Sequence, residues 1–227
     1  MTESGNHVQL RERVADAIRR MIAEGRLRGG TWIRQDPLAR ELGTSFTPVR
    51  EALKQLEAEG LVEHIPYRGV RVVEFTMEDL LDIYTMRIDL EGLAAATAAT
   101  RITPIEITQL RTLHEQMTAL SGRESLPEVR QLNQRFHLGI VEASGRKYLI
   151  RTMRAIWTWF PTMLWSQYLP MESDPPDREQ KDNAEHQGIL AALAHNDPAN
   201  AERLMKEHID RSRQTLMEFL ARRETAS

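Results

Sequence analysis

Three histidines stand on the apolar stripes of three separate predicted helices, in the segments FHLGIV, EHQGIL and LMKEHI. Residues three or four apart share one helix face, so His137, His186 and His208 are predicted to point into a bundle interior. Asn133 lies one turn before His137 and offers an amide oxygen on the same face. These ligand types suit a divalent metal ion such as zinc, nickel or manganese. The alternative for each histidine is a hydrogen-bonded residue of the core.

Arg87 occupies a stripe that should face the core, between Tyr84 and Glu91. A buried guanidinium costs several kcal/mol unless it is paired. Glu91, one turn later, is one partner. The other interpretation is that Arg87 faces a cavity and receives an anionic effector, while Glu91 holds the arginine in place.

Four large aromatic residues are concentrated in one predicted helix, namely Trp157, Trp159, Phe160 and Trp165. Such residues fill a core or an interface in most proteins. The alternative is that some of them, such as Trp157, line an effector pocket and favour a ligand with an apolar or aromatic part.

A second group of chemically active residues lies in the segment GTSFTPVREAL, residues 43–53. Thr47 before Pro48 is typical of an N-cap followed by a first-turn proline, which would leave backbone N–H groups for a phosphate. Arg50, one turn into that helix, can bind guanine or a phosphate. Ser45 and Phe46 would share this surface with them. The alternative for Arg50 is a pair with a nearby acid on a solvated helix.

The elements that must position these residues follow the order helix, helix, turn, helix and hairpin. Helices are predicted over residues 8–24, 36–43 and 48–59, and the runs LVEHI and VRVVEF form a hairpin across PYRG. This order is that of a winged helix-turn-helix, whose second helix enters the major groove. Arg68 and Gly69, in the hairpin turn, would enter an adjacent groove.

From Thr76 onward the pattern is almost entirely helical, and six helices on short connections predict a bundle. We therefore expect a mainly α protein with a DNA-binding domain at residues 1–75 and an effector-binding and dimerisation domain at residues 76–227. The second domain contains every candidate metal ligand named above.

The composition excludes several classes of function. The chain has 227 residues, 41% of them hydrophobic, and a net charge of -3, so DNA binding must depend on a few placed cations. There is no cysteine for a disulfide or a thiolate site. No long apolar run or signal peptide is evident, so a cytoplasmic protein without a membrane partner is expected.

The segment LARELGTSFTPVREALKQLEAEGLVEHIPYRGVRV resembles the winged-helix domain of the GntR family of bacterial transcriptional regulators. The resemblance implies DNA contacts for Ser45, Thr47, Arg50, Arg68 and Gly69. Phe46 replaces an arginine that is usual in the family, and we expect this position to change the preferred operator, for example through a thymine methyl group.

The segments YTMRIDLEGLAAATAA, NQRFHLGIVEASG and EHQGILAALAHNDPANAERLMKEHI resemble the FCD ligand-binding domain of the FadR subfamily. That resemblance implies an all-helical bundle in which three histidines and an aspartate bind a divalent metal, which helps to hold a small carboxylate effector. His137, His186 and His208 match these positions. Asn133 stands where the family has aspartate, so the site would lack one negative charge.

Together these features predict a homodimeric transcriptional regulator, a repressor, that binds double-stranded operator DNA and responds to a small organic acid. A metal-dependent enzyme on a helical bundle is the alternative that would explain the histidines. A winged helix that serves only as a protein-interaction module is a third.

Overall fold

The structure is a computed structural model that describes residues 3–74, 76–120, 125–167 and 178–225. The chain divides into two compact units with a boundary at the step from Thr76 to Met77, and residues 158–167 are grouped with the first unit. The elements before this step are α1 (Glu3–Ala23), β1 (Trp32–Ile33), α2 (Gln35–Glu41), α3 (Phe46–Ala58), β2 (Val62–Ile65) and β3 (Gly69–Val72). Those after it are α4 (Met77–Ala99), α5 (Pro104–Ala119), α6 (Leu126–Ala143), α7 (Lys147–Gln167), α8 (Arg178–Ala194) and α9 (Pro198–Thr225). The predicted winged helix-turn-helix and mainly α bundle are confirmed.

The first unit is built around the contact between α1 and α3. Apolar residues recur every three or four positions on both helices, and these stripes meet in one core with α2 and the sheet. Ile18, Ile22 and Leu56 are fully buried there. At the edge of this core, Arg19 Nε donates a 2.9 Å hydrogen bond to Glu59 and so ties α1 to the end of α3. The core therefore fixes the orientation of α3, which carries the predicted DNA contacts.

The three strands form an antiparallel sheet in the order β1-β3-β2. Ile65 pairs with Gly69 at the hairpin end, and Tyr67 between them has a positive φ of 65°. Gly69 has a φ of 109°, a conformation that favours glycine. The short β1, which lies between α1 and α2 in the sequence, completes the sheet as an edge strand.

The start of α3 differs from the prediction. Thr47 was expected as the N-cap, but Ser45 holds that position in extended conformation, and the helix begins at Phe46. Pro48 is accommodated because the first-turn N–H groups of a helix have no intrahelical partner. Phe46 and Thr47 consequently belong to the first turn of α3 and not to the preceding loop.

Six helices follow Thr76, as predicted, and in the second unit α4 packs against α9, α6 and α8, while α5 packs against α6 and α8. Thr103 caps α5 in a reciprocal capping box with Glu106. A Cβ atom on Gly139 would lie 2.8 Å from Leu110 Cδ2, so the glycine permits the close approach of α6 to α5. The core of this unit contains Phe136, Ile140, Met153, Ile189 and Met205, all fully buried.

Candidate metal centre and nucleic-acid interface

The first turn of α3 presents all four residues that were predicted to contact DNA on this helix. Ser45, Phe46, Thr47 and Arg50 are exposed, and the Ser45 side chain makes no capping hydrogen bond. Phe46 is 44% exposed, a high value for a large apolar side chain. Free backbone N–H groups at this helix end favour a phosphate.

Arg50 can exchange its contact with the neighbouring Glu51 side chain for a contact with DNA. Its Nε lies 3.6 Å from Glu51 Oε1, and its guanidinium carbon lies 6.0 Å from the centre of the Phe46 ring. Exposed ion pairs contribute little because water screens them, so little stability is lost when Arg50 leaves Glu51. The acid pair and the DNA contact are therefore compatible interpretations of this arginine.

The hairpin tip carries the other two predicted contacts. Arg68 is exposed in the turn, and Gly69 lies at its end, where it opens β3. Tyr67 is fully exposed beside them in a left-handed conformation, which is uncommon for an aromatic residue. The sequence analysis did not select Tyr67, although the PYRG turn gave its position.

The three predicted histidines meet in the interior of the second unit. His137 on α6, His186 on α8 and His208 on α9 are each at most 5% exposed. One ring nitrogen from each histidine lies within 4.8 Å of the others. The Nε2 atoms of His186 and His208 are 3.3 Å apart. The predicted inward orientation is confirmed, and the structure adds the convergence.

Two of these rings are held by carboxylates. His137 Nδ1 donates to Glu91 Oε2 at 2.6 Å, and His208 Nδ1 donates to Glu185 Oε2 at 2.6 Å. In a neutral imidazole this leaves Nε2 unprotonated and available as a ligand atom. His137 Nε2 is buried without a hydrogen-bond partner. A carboxylate behind a histidine is the usual device for orienting a metal ligand.

Glu91 connects this centre to Arg87. Arg87 Nε donates to Glu91 Oε1 at 2.7 Å, and both side chains are buried. Burial by itself would raise the pKa of Glu91, but the charge of Arg87 and the contact with His137 lower it to about 2. Glu91 is therefore ionised at neutral pH, and Arg87 balances its charge.

Two of the three histidines, His137 and His186, are neutral at neutral pH. Burial lowers the pKa of His137, against the effect of Glu91, and it lowers the pKa of His186 well below its usual range. Neutral imidazole is the form that binds metals. Burial thus keeps the imidazoles of His137 and His186 free of a proton that would compete with a cation.

The remaining predicted site residues lie around this centre. Asn133 is half-buried, one turn before His137 on α6. Trp157 is buried, with its ring 5.4 Å from His137 and 4.1 Å from the Arg87 guanidinium carbon. The side chains of Trp159, Phe160 and Trp165 lie outside the described residues. Trp157 therefore joins the arginine and the histidines on one wall.

The donor set fits a divalent metal ion. Three buried imidazoles, two of them oriented by carboxylates, supply the nitrogen ligands that zinc, nickel and manganese accept. Asp182, Glu185 and His208 form a second set of converging atoms that shares His208 with the first. Glu185 is also paired with Arg211, which neutralises it. The buried three-histidine set is the better candidate, because exposed acidic groups commonly converge without a metal.

Two residues of the centre were missed by the sequence analysis. Glu185 directly precedes His186 in the sequence, but its contact is with His208 on α9. His114 is a further buried histidine, 5.7 Å from His186 between ring centres. His114 lies between the buried Leu110 and Met117 on the apolar stripe of α5, and this spacing could have predicted that its side chain points inward.

Comparison with known families assigns both units. Residues 10–72 match the bacterial regulatory proteins of the gntR family, and residues 82–211 match the FCD domain. The chain belongs to the gntR family. The gntR match makes this family member a DNA-binding transcriptional regulator. Its FCD domain agrees with the FadR-like subfamily. Both predicted resemblances are confirmed.

Two curated relatives extend along most of this gntR-family chain. A probable D-xylose utilization operon transcriptional repressor of Paenarthrobacter nicotinovorans is 32% identical over 206 residues, or 86% of this chain and 84% of the relative. The Glc operon transcriptional activator of Escherichia coli K12 is 28% identical over 220 residues, or 87% and 85%. The solved structure of E. coli McbR/YncC has a TM-score of 0.73 at 24% identity, covers 92% of this chain and 97% of its own, and shows the same fold.

Both curated relatives are transcriptional regulators and neither is an enzyme, so the enzyme alternative is not supported. Among the described residues, no helix is long and apolar enough to cross a membrane.

Proposed function

We propose that this gntR-family regulator is a cytoplasmic homodimeric repressor whose DNA affinity is controlled by a small carboxylate bound at the histidine centre with the help of a divalent metal ion. The observation that carries the ligand part of the proposal is the convergence of three buried imidazole nitrogens within 4.8 Å of one another. The repressor assignment is supported by the P. nicotinovorans relative, which is a probable operon repressor. A dimer would match the two half-sites of a pseudo-palindromic operator.

For DNA, we propose that α3 enters the major groove with Arg50 on a base edge or a phosphate. Ser45, Thr47 and the helix N-terminus contact the backbone, while Arg68 and Gly69 enter the neighbouring groove. Phe46, exposed on the same turn, contributes an apolar contact in place of the arginine that is usual in the family. This difference is expected to change the preferred operator.

The DNA assignment is tested by an Arg50→Ala variant in gel shifts at fixed salt, on a duplex selected by the wild type from a random pool. Loss of one bidentate contact costs about 1–3 kcal/mol, or roughly 5- to 150-fold in affinity. Arg203→Ala, which removes an exposed arginine of α9, is the matched control. Normal operator affinity of Arg50→Ala would contradict the assignment.

For the ligand, the proposal places the metal ion on His137, His186 and His208, with Asn133 as a neutral neighbour. A bound divalent ion would supply positive charge for the carboxylate of the acid. Arg87, Glu91 and Trp157 form the adjacent wall, because Glu91 joins Arg87 to His137 and the Trp157 ring contacts both. The charge of Arg87 adds to the attraction for an anion.

A coupling of about 1–3 kcal/mol between the acid and the operator would change DNA affinity ~5- to 150-fold, which suffices for a switch. The acid must therefore bind more tightly to one DNA-binding state of the protein than to the other.

The ligand assignment is tested by metal analysis and thermal shift with small carboxylic acids, with and without zinc, nickel or manganese. A ligand of the folded state raises the melting temperature by mass action. The double variant His137→Ala, His186→Ala should lose the metal and the metal-dependent shift. A double variant of two exposed histidines, His64→Ala with His195→Ala, removes the same number of imidazoles and should keep both. Unchanged metal content in the first variant would refute the proposal.

A further inference from the structure

His114 is a buried histidine outside the proposed metal set. It lies on α5 and is 5% exposed. Its ring centre is 5.7 Å from that of His186, in an edge-on arrangement, and 6.5 Å from that of Phe136. His114 thus borders the three-histidine centre from the side of α5.

Both ring nitrogens of His114 are buried without a hydrogen-bond partner in the structure. An unsatisfied buried donor or acceptor destabilises the folded state, so a stable core seldom keeps two of them on one side chain. Leu110 and Met117, one turn to either side, show that an apolar residue would suit this stripe. A group that hydrogen-bonds His114 would remove this destabilisation.

The position of His114 is suited to a ligand and not to the ion. The ligand atoms of His137, His186 and His208 lie within 4.8 Å of one another, and the nitrogens of His114 are not part of this set. The neutral form of an imidazole offers one donor and one acceptor, which matches the two buried nitrogens of His114 that lack hydrogen-bond partners. A neutral ring beside Phe136 provides no charge for a second carboxylate, whereas a hydroxyl or a carbonyl oxygen needs only hydrogen bonds.

We propose that His114 contacts the effector and hydrogen-bonds a hydroxyl or carbonyl group of an acid whose carboxylate binds at the three-histidine centre. The acid is therefore a hydroxy acid or an oxo acid. This inference rests on the proposed function, because it assumes that an acid binds at that centre. His114 determines which acids are accepted, while His137, His186 and His208 supply the attraction for the carboxylate.

The test uses the full-length protein loaded with zinc and three probes, propionate, lactate and pyruvate, in calorimetric titrations. The His114→Phe variant keeps a ring of similar shape but removes both nitrogens. One net hydrogen bond of about 0.5–1.5 kcal/mol corresponds to about 2- to 12-fold in affinity. The preference for lactate or pyruvate over propionate should fall by this factor in His114→Phe, while zinc and propionate affinities stay unchanged. Chelation of zinc by the second oxygen contributes equally to both proteins and cancels in the comparison.

The matched control is His195→Phe, which replaces an exposed histidine and should keep the wild-type preference. His114→Asn, which restores a donor and an acceptor, should recover part of it. An independent measurement on the wild type is the ¹⁵N spectrum of the histidine rings, in which the His114 signals should shift with lactate or pyruvate and not with propionate. This measurement shows whether His114 contacts the hydroxyl or carbonyl group of the acid, even if His114→Phe fails to fold.

An unchanged preference in a folded His114→Phe variant, or unshifted His114 signals, would overturn the inference and leave the proposed function intact. If the wild type binds none of the three acids and also fails the wider screen of carboxylates, the proposed function fails and this inference with it.

Discussion

The buried Arg87–Glu91 pair gives the sharpest test of the electrostatics of the second unit. The change is Glu91→Gln, which keeps the shape of the side chain and an acceptor for His137 Nδ1 but removes the negative charge. Arg87, 5% exposed, would then lose the charge of the Glu91 carboxylate, to which its Nε donates a 2.7 Å hydrogen bond. Removal of one member of such a pair costs about 3–5 kcal/mol.

The pKa of Glu91 gives a second estimate of the same interaction. A decrease from the ordinary 4.5 to about 2 corresponds to roughly 3 kcal/mol in favour of the ionised form in the folded protein. The two estimates agree in order of magnitude. At about 2–4 °C per kcal/mol for a chain of this size, the melting temperature should fall by about 6–20 °C.

The assay is thermal unfolding of the metal-free protein at pH 7. The matched control is Glu207→Gln, which breaks an exposed pair with Arg203 at the same i, i+4 spacing and should cost less than about 1 kcal/mol. The double variant Arg87→Met, Glu91→Gln should regain most of the loss, because apolar replacements of buried ion pairs are often neutral. If Glu91→Gln costs no more than Glu207→Gln, the buried charge of Arg87 does not depend on Glu91 and the reasoning is wrong.

The pH dependence follows from the same contact. The folded-state pKa of Glu91 is depressed, so its contribution to stability is complete above pH 4.5 and is lost as the pH falls through about 2. The difference between wild type and Glu91→Gln should therefore shrink over this window. His137, whose pKa is also lowered in the fold, adds to acid destabilisation below its unfolded value of 6.5.

Three further outcomes are expected. Glu185→Gln should reduce zinc affinity by about 10- to 100-fold in a chelator competition, because the carboxylate that orients His208 is lost. Asn133→Asp should raise zinc affinity about tenfold or more in the same assay. The reason is that an added negative charge at about 4 Å attracts a cation by several kcal/mol even at an effective dielectric of 20. Unchanged zinc affinity would place Asn133 outside the site. Phe136→Ala should lower the free energy of unfolding in urea by about 3–5 kcal/mol, whereas Ile105→Ala, at 71% exposure, should stay within about 0.5 kcal/mol.

Local patterns were sufficient for the elements and for much of their order. The capping box at Thr103 and Glu106 and the six bundle helices follow from interactions over a few residues, which a sequence shows directly. The start of α3 was displaced by two residues, because proline is tolerated throughout the first helical turn and does not mark the N-cap. The pairing of Trp32 with Arg71 in the sheet joins distant segments and left no local signal.

By itself, the sequence determined the family, the helical periodicity and the inward orientation of His137, His186 and His208. Only the tertiary structure brought their nitrogens within 4.8 Å of one another, set Glu91 against His137 46 residues away, and placed His114 beside the centre. The reason is physical: periodicity fixes which face of a helix is buried, whereas the partner that each buried polar group meets depends on how the helices pack.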